Sequence, residues 1–74
     1  SGDAMKLLNI VEARDFVEAQ FGLPITITQM TRAAQDRRLP FFKEPITGRL
    51  RIDRGELEMV YQKKRNAALR GSKR

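Results

Sequence analysis

Residues 25–54 read ITITQMTRAAQDRRLPFFKEPITGRLRIDR, and this stretch decides how the chain is organised. Thr26 and Thr28 can each cap a helix. Thr26 is favoured, because Ile27 and Met30 then share a face with Ala33, Ala34 and Arg37. That spacing predicts a helix from about Ile27 to Arg37 whose core side is small. Small side chains allow close approach of a second helix, as in a right-angled helical pair. Pro40 pushes Leu39 out of helical space, so the helix stops by Arg38. Leu39 to Lys43 then runs extended, with Phe41 the better candidate for the core. Thr47-Gly48 marks a turn. After it Leu50 and Ile52 face one way and Arg49 and Arg51 the other, the alternation of a half-buried strand. The unit is a helix feeding a two-stranded antiparallel hairpin, with positive charge at both corners.

The flanks read as support. Asn9 caps a first helix from Ile10, and Glu12 closes a capping box with Leu8 as the apolar residue outside it. Ile10, Ala13, Phe16, Val17 and Phe21 form its apolar stripe, while Glu12, Asp15, Glu18 and Gln20 take the wet side. Gly22 ends this helix and Pro24 prevents its restart. Downstream, Asp53 and Glu56 make a second capping box before Leu57, Val60, Tyr61 and Lys64. Helix is expected to about Leu69. The expected layout is a disordered or tag-derived leader at 1–7, one domain at 8–66 and a basic flexible tail at 67–74.

With 74 residues there is room for a single small domain with a thin core. Cysteine and histidine are both lacking, which removes disulfides, thiolate metal sites and the usual general base. Glu56 and Glu58 are two apart on a helix, on different faces, and make a poor carboxylate pair. The expectation is therefore no enzyme and no cofactor. No apolar run approaches the ~20 residues that cross a bilayer, and the N-terminus lacks the form of a secretion signal. A cytoplasmic protein without membrane contact is expected.

The formal net charge is +6. Its distribution is uneven: residues 1–24 carry two basic and four acidic groups, residues 25–54 seven and three, residues 55–74 six and two. A basic half beside an acidic half points to one face built for a polyanion. The outward residues of the second helix have the right chemistry for base edges. Arg32 can bridge two acceptors on guanine, and Gln29 and Gln35 can pair with adenine. Thr26 and Thr28 can give hydroxyls to phosphate near the helix start. Arg37 and Arg38 stand in the turn after it. On the hairpin, Arg49 and Arg51 are about 7 Å apart along one strand face, with Lys43 and the tip residues Thr47 and Gly48 beside them. Lys63, Lys64 and Arg65 add a basic run of low specificity.

These pieces together resemble the winged helix-turn-helix domain of the excisionase and MerR-type superfamily. The resemblance rests on Glu12-Ala13, the helix from Ile27, Leu39-Pro40, Gly48-Arg49 with Arg51-Ile52, and Asp53 with Glu56-Leu57, and spans Leu8 to Tyr61. It implies a small α+β fold of three helices with a two-stranded antiparallel wing. In such a fold the second helix reads the major groove, which makes Gln29, Arg32 and Gln35 readers. The wing touches backbone or minor groove, which makes Arg49 and Arg51 its contacts. The length suits a small excisionase-like accessory or regulatory factor of a bacterium, phage or mobile element. Such a factor binds duplex DNA, several copies side by side, and bends it, assists a recombinase or regulates transcription.

Two other readings are open. The same fold can serve as a protein module docking a recombinase, a terminase or another DNA-machinery partner, with Glu12, Asp15 and Glu18 as the docking face. An RNA-binding domain would want exposed aromatics, and Phe42 and Tyr61 are the candidates.

Overall fold

The computed structural model describes residues 6–71. Along the chain it forms β1 (Leu7–Leu8), α1 (Ile10–Phe21), α2 (Ile27–Gln35), β2 (Phe42–Lys43), β3 (Leu50–Asp53) and α3 (Arg54–Gly71). Each helix starts where a side chain satisfies the first orphan amides. Asn9 Oδ1 accepts from the Glu12 amide at 2.8 Å, and Glu12 Oε1 accepts from the Asn9 amide at 3.0 Å. Thr26 Oγ1 and Gln29 make the same reciprocal box at 3.0 and 2.9 Å. Asp53 Oδ2 accepts from the Glu56 amide at 3.0 Å, so β3 runs straight into a capped α3.

The sheet is antiparallel with order β1-β3-β2. Three strands, rather than the expected two, result because Leu7 and Leu8 pair with Asp53 and Ile52 on the far edge of β3. The Arg54 amide donates to the Lys6 carbonyl at 2.9 Å and extends that edge. Burial explains the pairing. Ile52 is fully buried, and its neighbour Leu8 brings a second large apolar side chain into the same core. Leu7, placed by the sequence in a leader, is thus a strand residue; residues 1–5 lie outside those described. The last helix reaches Gly71, two residues past the expected end at Leu69.

The core is small: Leu8, Ala13, Val17, Met30, Ile52 and Leu57, with Phe16, Phe21, Leu39, Phe41 and Tyr61 packed around it. Ala34 is buried as well. Phe21 bridges α1 to α3. It meets Phe16 edge-on at 6.4 Å and Tyr61 of α3 at 4.2 Å between ring centres.

The end of α2 departs from expectation. The helix stops at Gln35 with Asp36 as its cap, two residues short of Arg37. The Arg38 amide donates to the Ala33 carbonyl and the Arg37 amide to the Ala34 carbonyl, at 3.0 and 3.2 Å. That pair of bonds is a Schellman turn. It needs a left-handed residue at its centre, and Arg37 supplies it with φ 58°. Among the described residues no helix is long and apolar enough to cross a membrane.

Candidate nucleic-acid interface

Helix α2 buries Met30 and Ala34 and turns the opposite side outward. One hundred degrees per residue puts Thr28, Arg32 and Gln35 together on that outer side, and Thr28 is exposed there with Gln35. Gln29 sits at its margin. The capping box changes what Gln29 can offer, because its side-chain oxygen already accepts from the Thr26 amide. Pairing adenine with both ends of the amide would compete with that cap. Thr26 is likewise engaged by the Gln29 amide. Arg32 and Gln35 take no part in the cap.

A cleft flanks α2 on each side. The first lies between α2 and α3. Gln29, Arg32 and Arg38 line one wall and Lys64 and Arg65 the other, above an apolar floor that includes Ile25, Leu39 and Tyr61. The second lies between α2 and the β2–β3 hairpin. Gln35 and Arg37 meet Lys43, Phe42 and Leu50 there. Cations that are far apart in sequence are therefore gathered along both flanks of one helix. The structure places Lys63 on the exposed part of α3 but outside the lining of either cleft.

The hairpin divides its basic residues between two faces. Lys43 pairs with Leu50, and Phe42 pairs with Arg51. Directly paired residues share a face. Lys43 thus belongs with Leu50 on the side that continues the core, whereas Phe42 lies beside Arg51 on the outer side. Arg51 is half-buried and Arg49, just before β3, is exposed. Lys43 joins the α2 cleft, not the Arg49–Arg51 face with which the sequence grouped it.

Glu44 shapes the tip, and sequence reasoning gave it no role. Its carboxylate accepts from the Ile46 amide at 3.0 Å and from the Thr47 amide and hydroxyl, both at 2.7 Å. Its carbonyl accepts from the Gly48 amide, and its own amide donates to the Arg49 carbonyl. Gly48 takes φ 74°, which glycine adopts without strain. The Thr47 bonds, then the Ile46 amide and the charge of Arg51, hold the Glu44 carboxyl below the usual glutamate range. Thr47 Oγ1 also accepts from the Arg49 amide at 3.3 Å, so this hydroxyl serves the turn. An acidic residue two and three positions ahead of the amides it accepts from is the one signal that would have found this motif.

Acidic partners moderate the surface elsewhere. Asp36 accepts from Arg38 at 3.3 Å in an exposed pair. On α1, Arg14 meets Asp15 at 2.6 Å and Glu18 at 3.7 Å, and donates to the Ile25 carbonyl at 3.4 Å. This ties the outer side of α1 to the α1–α2 connection. No protein-family model, curated protein or solved structure matches this chain.

Proposed function

We propose that the chain is a non-catalytic, sequence-preferring duplex DNA-binding domain of winged helix-turn-helix type. Helix α2 enters the major groove, which is wide enough for a helix, and the β2–β3 hairpin acts as the wing. Arg32 and Gln35 read base edges, with Thr28 beside them and Gln29 offering its amide NH2. Arg37, Arg38, Lys43, Lys64 and Arg65 hold phosphates on either side, and Arg49 and Arg51 extend the interface along the wing. The observation that carries this reading is the flanking of one polar helix face by two largely apolar clefts that carry cations, Arg32, Arg38, Lys64 and Arg65 along one and Arg37 and Lys43 along the other. Neither cleft brings two carboxylates together: their linings contain no acidic residue. The chain's proposed role is that of an excisionase-like accessory or small regulatory factor in the cytoplasm. It would act beside a recombinase or other DNA-machinery protein, with further copies on the same duplex.

Two sets of substitutions test the assignment of roles. Arg49→Ala with Arg51→Ala should weaken binding to all duplexes alike and reduce the salt slope by about one to two, roughly one for each phosphate no longer neutralised. Arg32→Ala should instead shrink the gap between a selected site and random duplex by about 1–3 kcal/mol, the worth of one bidentate pairing with a base. Unchanged DNA affinity in both folded variants would show that this face is not the interface. The exposed acidic side of α1, with Val11 half exposed among Glu12, Asp15 and Glu18, favours a protein-docking module as the second reading. Retained capture of a basic partner by a chain that binds no DNA would support it.

A further inference from the structure

The hairpin tip holds an apolar side chain where the fold has no use for one. Ile46 is 90% exposed, more than any other large hydrophobic among the described residues. It is also held firmly. Pro45 fixes the preceding φ, the Ile46 amide is bound to the Glu44 carboxylate, and the next two residues are bound to Glu44 as well. Isoleucine is itself stiff at χ1. The carboxylate that builds the tip is engaged by Ile46 and Thr47, and Arg49 and Arg51 stand behind it. The result is a preorganised apolar point on a cationic stalk.

We propose that Ile46 is a wedge for the DNA minor groove. It enters between two stacked base pairs next to the site read by α2 and kinks the duplex. The proposal rests on the DNA-binding reading above and adds to it a residue, Ile46, and its insertion between base pairs. Charge complementarity selects the occupant: Arg49 and Arg51 on the stalk match phosphates on the groove walls, and the apolar tip matches the stacked interior of the bases. Apolar wedges of this type partly unstack one step and bend DNA by roughly 20–90°. The favoured step is a pyrimidine–purine step such as TA, which unstacks most readily.

The test uses the whole chain and a short duplex with one central TA step, its adenine replaced by 2-aminopurine and its ends carrying a fluorescence-transfer pair. The wild-type chain should bind, raise the 2-aminopurine emission and bring the ends closer. Ile46→Ala should bind within about tenfold of wild type, since only a few methyl groups lose their cover, yet show neither signal. Ile46→Leu should restore them. Circular dichroism melts of both variants should match wild type, because the side chain is exposed. Binding by the wild-type chain with no change in either signal would overturn the wedge and leave the DNA reading standing, as would equal bending by Ile46→Ala. Absence of any anisotropy change at low salt would remove the DNA reading and the wedge together. Partition onto phosphatidylserine vesicles that depends on Ile46, with the duplex left unbent, would reassign the tip to a lipid surface and overturn the wedge.

Discussion

Arg37 stands where a Schellman turn usually has glycine. Its left-handed backbone costs an L-residue about 1–2 kcal/mol, and glycine would relieve that. Glycine also gains freedom in the unfolded chain, worth roughly 0.5–1 kcal/mol in the other direction. Arg37→Gly should therefore leave stability equal to wild type or raise it by up to about 1 kcal/mol in urea unfolding. DNA affinity should fall, because a cation beside the Gln35–Lys43 cleft is gone. A glycine variant clearly less stable than wild type would mean that the guanidinium holds the turn. An arginine at a strained position is best explained by work for its side chain outside the fold. The same logic separates the α2 side chains. Gln29 and Thr26 are bound to each other in the cap, whereas Arg32 and Gln35 lie on the outer side of the helix.

At the scale of elements, β1 decides how the hairpin is held. It is two residues long, and Leu8 is 5% exposed against a fully buried Ile52. Leu8→Ala should lower stability by about 2–4 kcal/mol, as for a well-packed core leucine, with a matching drop in the urea midpoint. A loss below about 0.5 kcal/mol, typical of surface sites, would place Leu8 in a dispensable leader and the hairpin on its own. Much of this architecture is legible in the sequence. Asn9 with Glu12, Thr26 with Gln29 and Asp53 before Glu56 mark helix starts through local chemistry, and the alternation from Arg49 to Ile52 marks β3. What is not legible depends on distance or on an unusual residue. Two leucines show no alternation, and their partner lies near the other end of the folded unit. Arginine at a left-handed position gives none of the warning that glycine gives, so the sequence places the end of α2 two residues late. The site is legible as residue types but not as a grouping. Only the β2–β3 register shows that Lys43 faces away from Arg51, and only the bonds of Glu44 show that Thr47 is committed to the turn.

At the scale of the molecule, among the described residues, acidic side chains gather on α1 and cations around α2, where Asp36 and Glu44 moderate them. Acidic Glu12, Asp15 and Glu18 lie on α1, two of them tied to Arg14, while the two clefts gather arginines and lysines around α2. A core built around Leu8, Val17, Met30, Ile52 and Leu57 supplies only a few kcal/mol of net stability. From Gln62 to Arg70 every residue of α3 is exposed, and Lys64, Arg65, Ala68 and Leu69 line the cleft against α2. The central claim is that this face is built for duplex DNA. The measurement that tests it most directly is fluorescence anisotropy of the chain with random duplex DNA, titrated with salt. Neutralising about seven phosphates, one for each of Arg37, Arg38, Lys43, Arg49, Arg51, Lys64 and Arg65, predicts a slope of log K against log salt on the order of −6. No binding at low salt, or binding indifferent to salt, would contradict it and turn attention to the acidic face of α1.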